Sequence, residues 1–225
     1  MSNQEILHVY TLGQLRLERR EESEWLTVTD AVWQHQRVRL LLRCLVSLPN
    51  RCIDRKVLLD QMWSGLESEN AGGRLDRAVH DLRRVIEPER LKPATSPFLL
   101  TKRETITLAD QQHIWIDADA FEQAIAQARE SDDLAEKEQL LTEAAKLYRG
   151  DFLPEEQECK STLRRRASVR RSFMHLLSDL AEVRLQHGTL IDVIDPLELL
   201  LSLDASNEAV AQQLMRVLEQ LGRRG

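Results

Sequence analysis

The sequence contains no apolar run that could span a membrane. Its longer apolar runs, such as residues 40–42 and 199–201, are far shorter than the roughly 20 residues that a membrane-spanning helix needs. The opening residues also lack the basic and apolar regions of a secretory signal, since polar residues begin at once. We therefore expect a cytoplasmic protein without membrane contact.

Cysteine and histidine are sparse and show no ligand spacing. Cys44, Cys52 and Cys159 are odd in number and form no CxxC pair, which argues against both a disulfide framework and a zinc site. The six histidines are scattered from residue 8 to residue 187. The sequence thus predicts no metal site, and the cysteines are expected to be small buried or bystander thiols.

Motifs of common enzymes are missing as well. The chain contains no GxxxxGK[ST], GxGxxG, GxSxG or HExxH pattern. Asp117 and Asp119 could form a carboxylate pair, but alternating aspartates before a helix are more typical of caps and solvent-facing residues. We therefore expect a protein that is not an enzyme and that needs no cofactor.

A positive net charge is also lacking, because the whole chain carries −6. The charge is unevenly distributed, however. Residues 1–110 contain 17 basic and 16 acidic side chains, whereas residues 111–225 contain 14 and 21. Within residues 74–103 there are eight basic and four acidic residues. Basic charge is therefore concentrated in one part of the first half, which favours a nucleic-acid partner there.

Length and composition fit two globular domains. With 225 residues, 42% apolar and 30% charged, the chain exceeds the usual size of one domain. The first half begins with three β-type runs, followed by a helix pattern that Pro49 ends and a second that Asp54 can cap. The runs are residues 6–11, 15–18 and 25–28, and a polar turn is predicted at 64–73.

Residues 74–86 predict a helix with two distinct faces. Apolar residues recur at steps of four, three and four, so they share one side; they are Leu75, Val79, Leu82 and Ile86. Arg77, His80, Asp81 and Arg84 share another side. Two β-type runs around a charged turn follow at residues 98–108 and predict a hairpin. Two helices, a basic helix and a basic hairpin form the order of a winged-helix DNA-binding domain.

The second half is helical almost throughout. The longest pattern covers residues 161–187, and Gly188 closes it. Two further helices are predicted at residues 190–203 and 207–221. Paired helices of this length, joined by turns, are typical of tetratricopeptide-like modules. The predicted fold class is therefore an α+β N-terminal winged helix followed by an all-α tetratricopeptide-like helical module.

Six segments together resemble one bacterial family. They are LLDQMW at 58–63, RLDRAVHDLRRVI at 74–86, FLLTKRETITL at 98–108, WIDADAFE at 115–122, LYRGDFLPE at 147–155 and LDASNEAVAQQLMRVLEQLGR at 203–223. The chain is similar over nearly its whole length to regulators of the SARP type, in which an OmpR-type winged helix precedes a bacterial transcriptional activator domain. The resemblance places these two domains at residues 1–110 and 111–225. Members often continue with another helix, which implies a longer regulator.

The family resemblance implies sequence-specific binding to direct repeats in promoters and recruitment of RNA polymerase. It also implies a homo-oligomer on double-stranded DNA, with the helical domain available for polymerase or an effector. By position, the base-reading residues are Arg74, Arg77, His80, Asp81 and Arg84. Phosphate contacts from the helix and the hairpin, or wing, fall to Arg83, Arg90, Lys92, Lys102 and Arg103, which position the domain without reading sequence.

The chain departs from the family at several positions. Asp81 replaces a residue that is often basic, and a carboxylate near phosphates costs affinity unless it pairs with Arg77 or Arg84 or accepts from a cytosine amine. The wing turn lacks the usual glycines, and Pro196 falls in a helix that is usually continuous. The acidic second half and Asp81 leave an alternative open, a protein-interaction scaffold whose winged helix no longer binds DNA. A basic cluster at residues 164–171 is interpreted as a solvated helix face paired with the acidic second half, with an interdomain, polymerase or additional DNA contact as the alternative.

Overall fold

The computed structural model describes residues 5–63, 71–154 and 160–222. It divides into two compact units. The N-terminal unit comprises Met1–Asp117 and Gly150–Ala167, and the helical unit comprises Ala118–Arg149 and Ser168–Gly225. The predicted division at residue 110 stays a prediction. Cys159 and most of the predicted turn at 64–73 lie outside the described residues.

The N-terminal unit opens with a four-stranded sheet. Its strands are β1 (Leu7–Tyr10), β2 (Arg16–Glu21), β3 (Glu24–Thr27) and β7 (Ile114–Ile116), in the order β3-β2-β1-β7. The first three strands pair antiparallel, whereas β7 runs parallel to β1 with Leu7 opposite Ile114. Alternate side chains of β1 and β2, including Leu7, Val9 and Leu17, are fully buried, as expected for a sheet with one face on the core.

Three helices follow this sheet. They are α1 (Gln36–Val46), α2 (Arg55–Trp63) and α3 (Ala71–Ile86). Asp54 caps α2 as predicted, since its Oδ1 accepts hydrogen bonds from the backbone N–H groups of Lys56 and Val57 at 2.7 and 3.3 Å. The α3 helix ends before Pro88, which cannot continue it. The core between α1 and α3 contains Val38, Leu41, Leu42, Leu45, Leu75, Val79 and Leu82, each at most 3% exposed.

A second sheet carries the predicted wing. The strands β4 (Cys52–Asp54), β5 (Leu99–Thr101) and β6 (Thr105–Leu108) form an antiparallel sheet in the order β4-β6-β5. Each backbone N–H of Lys102 and Thr105 donates to the other residue's carbonyl, at 2.9 and 3.2 Å, so the turn is only two residues long. Neither Arg103 nor Glu104 has a positive φ. This turn therefore forms without the glycines that the family often has there.

The segment at 150–153 completes the N-terminal unit from far along the chain. Leu12 and Phe152 form an isolated antiparallel bridge, and the backbone N–H of Leu153 donates to the carbonyl of Thr11 at 2.8 Å. Gly150 has φ +152°, and an added Cβ would meet the backbone of Gly13 at 3.3 Å. A glycine therefore suits this close approach. The Phe152 side chain is fully buried.

The helical unit is formed by paired helices. They are α4 (Asp117–Glu130), α5 (Leu134–Leu147), α6 (Lys160–His187), α7 (Ile194–Leu203) and α8 (Glu208–Gly222), of which α6 begins in the N-terminal unit. Tyr148 stacks on Phe173 with ring centroids 3.8 Å apart, and both lie near Phe121. Pro196 lies in the first turn of α7, where a missing N–H costs no helical bond. A short 3₁₀ turn, Leu190–Val193, precedes that helix.

These elements confirm the predicted fold class of a winged helix followed by a helical module. The predicted strands, basic helix, hairpin and long α6 are all present. The three-residue strands β4 and β7 were not predicted. No helix within the described residues is long and apolar enough to cross a membrane.

An ion-pair cluster in the helical unit predicts a pH dependence of its stability. Partial burial raises the pKa of Glu138, but hydrogen bonds with His187 (2.8 Å) and Arg184 (3.0 Å) and their charges outweigh this and hold the pKa below its ordinary value. A lowered carboxyl pKa stabilises the fold above the unfolded value, and this contribution disappears as pH falls through the folded value. We expect wild type to be about 1 kcal/mol or less more stable than Glu138→Gln at pH ~7.

Urea unfolding at a series of pH values measures this difference. It should shrink as the pH falls from the ordinary value of 4.5 through the lowered pKa of Glu138. Glu130→Gln, at an exposed position at the end of α4, is the matched control and should show a smaller effect. A stability difference at Glu138 that grows towards acid would contradict the assigned ion pairs.

Candidate nucleic-acid interface

The α3 helix is anchored on one side and open on the other. Its buried side chains include those of Leu75, Ala78, Val79, Leu82, Val85 and Ile86. Near its end, Nη1 of Arg19 donates to the carbonyl of Val85 at 2.9 Å and joins the helix to the first sheet. Its predicted apolar face is therefore the buried face. The opposite face is exposed.

Four of the five predicted base-reading residues lie on the open face of α3. Arg74, Arg77, His80 and Arg84 are exposed. They make no hydrogen bond or ion pair within the described part of the chain. Their side chains are therefore available to a ligand, and three of them carry a full positive charge at any physiological pH.

Both acidic residues on the outer side of α3 are paired with arginines from other helices. Nη2 of Arg55, at the start of α2, donates to Oδ1 of Asp76 at 2.6 Å. Nη2 of Arg37, in the first turn of α1, donates to Oδ2 of Asp81 at 2.8 Å. Asp81 thus pairs with Arg37 and not with Arg77 or Arg84, the two partners that the sequence had suggested. Within the part of the chain that the structure describes, Arg74, Arg77 and Arg84 of α3 therefore have no acidic partner.

Arg83, predicted to contact phosphate, instead joins α3 to the wing. Its side chain donates to the carbonyl of Leu99 at 2.8 and 3.0 Å and to Oγ1 of Thr101 at 3.0 Å. The residue is only 8% exposed, and this burial lowers the pKa of its guanidinium. Because its donors are used inside the protein, Arg83 fixes the wing next to α3 and leaves the set of proposed DNA contacts.

The remaining predicted phosphate contacts lie on the wing and on the loop before it. Lys92, Lys102 and Arg103 are exposed, with no side-chain partner among the described residues. Arg90 is held back, since its Nε donates to Glu87 Oε1 at 2.6 Å. The wing thus offers two free cations at its tip. Arg90 is less available for a phosphate contact than the sequence suggested.

The basic cluster on α6 is only partly a solvated face. Arg165 is 8% exposed, lies 5.1 Å from the ring of Phe152 and donates to the carbonyl of Val46. Arg166 donates to the carbonyls of Phe152, at 2.7 Å, and Leu153. These two arginines therefore stabilise the N-terminal unit. Periodicity along α6 could not reveal this, because the acceptors lie at the end of α1 and in the segment at 150–153.

Asp117, the candidate for a catalytic carboxylate, is occupied within the fold. It is 3% exposed. Its Oδ1 accepts from the N–H and the hydroxyl of Thr11 at 2.7 and 2.6 Å, and its Oδ2 accepts from the N–H of Leu12 at 3.0 Å. A carboxylate held by three donors is a structural cap. Among the described residues, no group of three or more His, Cys, Asp or Glu side chains could hold a metal ion.

Arg37 is the site residue that sequence reasoning missed. It lies on α1, outside the predicted recognition helix. Its only sequence signal is its place in the first turn of a helix that contains no acidic residue there. Its ion pair with Asp81 spans 44 residues, a separation that local periodicity does not report.

Comparison with known proteins gives a family match for the second half and a related solved structure for the fold. Residues 116–225 match the family model of the bacterial transcriptional activator domain. No curated protein matches the chain. Among solved structures, the chain is similar to Mycobacterium tuberculosis EmbR in complex with a low-affinity phosphopeptide, with a TM-score of 0.72 and 17% sequence identity. The match covers 94% of this chain and 54% of that one, so this chain spans about half the length of that relative.

Proposed function

We propose that the chain is a transcription regulator, because residues 116–225 match the bacterial transcriptional activator domain, and that its N-terminal unit binds double-stranded DNA sequence-specifically. The helical unit would contact RNA polymerase or an effector and support a homo-oligomer on direct promoter repeats. Activation is the proposed output. The similarity to EmbR supports the fold that this proposal assumes, a winged helix followed by a helical module. The positive charges on α3 support DNA as the ligand of that helix.

One observation carries the proposal, the unpaired arginines on the open face of α3. Among the described residues, Arg74, Arg77 and Arg84 have no acidic partner, while Asp76 and Asp81 are paired with Arg55 of α2 and Arg37 of α1. Leaving three guanidinium groups unpaired on one helix face costs repulsion unless a polyanion approaches. The net charge of −6 for the chain therefore does not argue against DNA binding.

The spacing of the α3 side chains fits the major groove. Arg77 and Arg84 are seven residues apart, which is about 10.5 Å along a helix axis at 1.5 Å per residue. This distance matches about three base-pair steps of roughly 3.4 Å. Each arginine could donate two hydrogen bonds to a guanine, with His80 at a base edge between them. Arg74 would contact the adjoining base or phosphate.

The wing would hold the backbone beside the groove. Lys102 and Arg103 lie at a two-residue turn, and Arg83 ties the strand before it to α3. Phosphate contacts from Lys92, Lys102 and Arg103 would fix the register of α3 on the DNA without reading bases. Affinity should therefore fall steeply with salt, by about 0.9 log-log units per phosphate contact.

Replacing both groove-facing arginines tests the proposal directly. We expect Arg77→Ala/Arg84→Ala to weaken binding of a duplex selected from genomic fragments by about 100-fold or more, since each bidentate pair contributes ~1–3 kcal/mol. Fluorescence anisotropy with the purified chain, at several salt concentrations, measures it. Discrimination against a scrambled duplex should also be lost.

Arg171→Ala/Arg216→Ala is the matched control, because it removes the same charge at exposed positions of the helical unit. It should change affinity little. Equal losses in both double variants would mean that only net charge matters. A wild-type chain that shifts no duplex at low salt would instead support the scaffold alternative.

A further inference from the structure

A concave surface lies between the start of α1 and the start of α3. It encloses about 430 Å³ and is lined by His35, Gln36, Arg37, Trp63, Arg74 and Arg77. Three of these six side chains are guanidinium groups, and none is a carboxylate. We call this surface the arginine pocket. Its composition suits a group with a delocalised negative charge and several acceptor oxygens.

Arg37 is the best-fixed cation of the arginine pocket. Its Nη2 donates to Asp81 Oδ2 at 2.8 Å and lies 3.3 Å from Nδ1 of His35. Its Nε is buried without a hydrogen-bond partner in the described structure. The side chain is 38% exposed, and its Nη1 makes no hydrogen bond within the described residues. One end of the guanidinium is thus held in place while the other is open to a ligand.

Asp81 explains why Arg37 adopts this position. The carboxylate is only 14% exposed, whereas its partner is 38% exposed. It lies on α3 one turn beyond Arg77, a lining residue, but does not itself line the arginine pocket. An anion entering there would therefore meet Arg37, Arg74 and Arg77, while the negative charge of Asp81 stays compensated behind them.

We propose that the arginine pocket binds a phosphodiester group of the DNA backbone, and that Asp81 is the positioning residue that holds Arg37 for this contact. The inference rests on the proposed DNA binding, and it extends the interface from α3 to α1. Arg77 lines the pocket and also belongs to the reading face, so the phosphate lies beside the bases that this face reads. A pre-positioned arginine loses less side-chain freedom on binding than a free one.

This assignment reverses the expected effect of the acidic residue. If Asp81 only repelled DNA, its removal would strengthen binding as much as removal of any acid at the interface. If Asp81 positions Arg37, its removal gains less, because the phosphate contact is weakened at the same time. Asp76 offers a matched comparison, since it is an aspartate on the same helix that pairs with a different arginine, Arg55.

A double-mutant cycle separates the two possibilities. Arg37→Gln should weaken binding of the selected duplex and a scrambled duplex alike, by about ten-fold. It should also lower the salt slope by about 0.9. Arg37→Lys, which keeps a charge but no fork, should restore part of the affinity. These results identify a phosphate contact, which carries no base preference.

The second arm compares the two aspartates. In the wild-type background, Asp81→Asn should strengthen DNA binding less than Asp76→Asn does. In the Arg37→Gln background, the two substitutions should strengthen DNA binding equally. Asp76→Asn should have the same effect in both backgrounds, because Asp76 does not contact Arg37. Thermal unfolding of every variant measures how much the ion pair between Arg37 and Asp81 stabilises the fold. A purely stabilising role does not alter the salt dependence of DNA binding.

Two results would overturn the inference. An Arg37→Gln variant with the wild-type salt slope would show that the arginine pocket takes no phosphate, even though the chain binds DNA. If Asp81→Asn strengthened DNA binding equally in the wild-type and Arg37→Gln backgrounds, Asp81 would have no positioning role. A wild-type chain that binds neither duplex would instead refute the DNA-binding proposal itself, and with it this contact.

Discussion

A polypeptide ending at residue 110, the predicted end of the DNA-binding domain, is expected to lose its cooperative fold. It would lack β7, Asp117 and the segment at 150–167, all of which belong to the N-terminal unit. Circular dichroism and urea unfolding should show a broad, weak transition where the full chain gives a steep one. Dye binding should report exposed apolar surface.

The size of the effect follows from what the truncation uncovers. Ile114 and Phe152 are fully buried, and Ile116 is 1% exposed. Removing a buried aromatic or branched side chain costs about 2–5 kcal/mol each. Three such losses approach the whole stability of a typical domain, about 5–15 kcal/mol. The lost strand pairing of β7 with β1 adds to this.

A point substitution provides the control for the truncation. Phe152→Ala in the full chain should lower the free energy of unfolding by about 3–5 kcal/mol. Leu163→Ala lies in the same segment, but its side chain is 46% exposed, so it should cost far less. A fragment of residues 1–110 that unfolds as steeply as the full chain would show that the later segment only rests on a domain complete without it.

The sequence correctly predicted the elements that are determined by residues close together in the chain. The apolar spacing of residues 75–86 predicted α3, Asp54 predicted the start of α2, and Gly188 predicted the end of α6. The strands β4 and β7, of three residues each, were not predicted. Such strands are held by pairing with distant strands, here 55 and more than 100 residues away. No periodicity marks them.

The candidate site was predictable in its exposed part alone. Arg74, Arg77, His80 and Arg84 lie on the open face of α3 because they fall opposite the apolar residues in the helical period. Arg83 could have been recognised as different, since it follows Val79 by four residues and precedes Ile86 by three, which places it at the edge of the apolar face. Its acceptors on β5 could not have been inferred.

Pairing of the aspartates decides how the charge of α3 should be understood. From the sequence, Asp76 and Asp81 reduce the positive charge of the helix and weaken the DNA-binding interpretation. In the structure, Arg55 and Arg37 compensate them from α2 and α1. The relevant quantity is therefore the charge of the assembled surface, to which three helices contribute.

Replacing Asp117 with alanine is expected to destabilise the N-terminal unit by about 3–5 kcal/mol. The change leaves the N–H and the hydroxyl of Thr11 and the N–H of Leu12 without their acceptor. Thr11 is fully buried and Leu12 is 2% exposed, so water cannot replace the carboxylate easily. Each buried donor left unsatisfied costs about 1–3 kcal/mol. Urea unfolding of the full chain measures the loss.

Asp110→Ala is the control for this prediction, because Asp110 is exposed and pairs with His113 at the surface. It should cost about 1 kcal/mol or less. A small effect at Asp117 would reopen its interpretation as a functional carboxylate, since catalytic groups are commonly held at the expense of stability. A large effect would explain why an acidic residue stands at the start of α4. There it joins the first residues matched to the activator domain to Thr11 and Leu12, which follow β1 in the N-terminal unit.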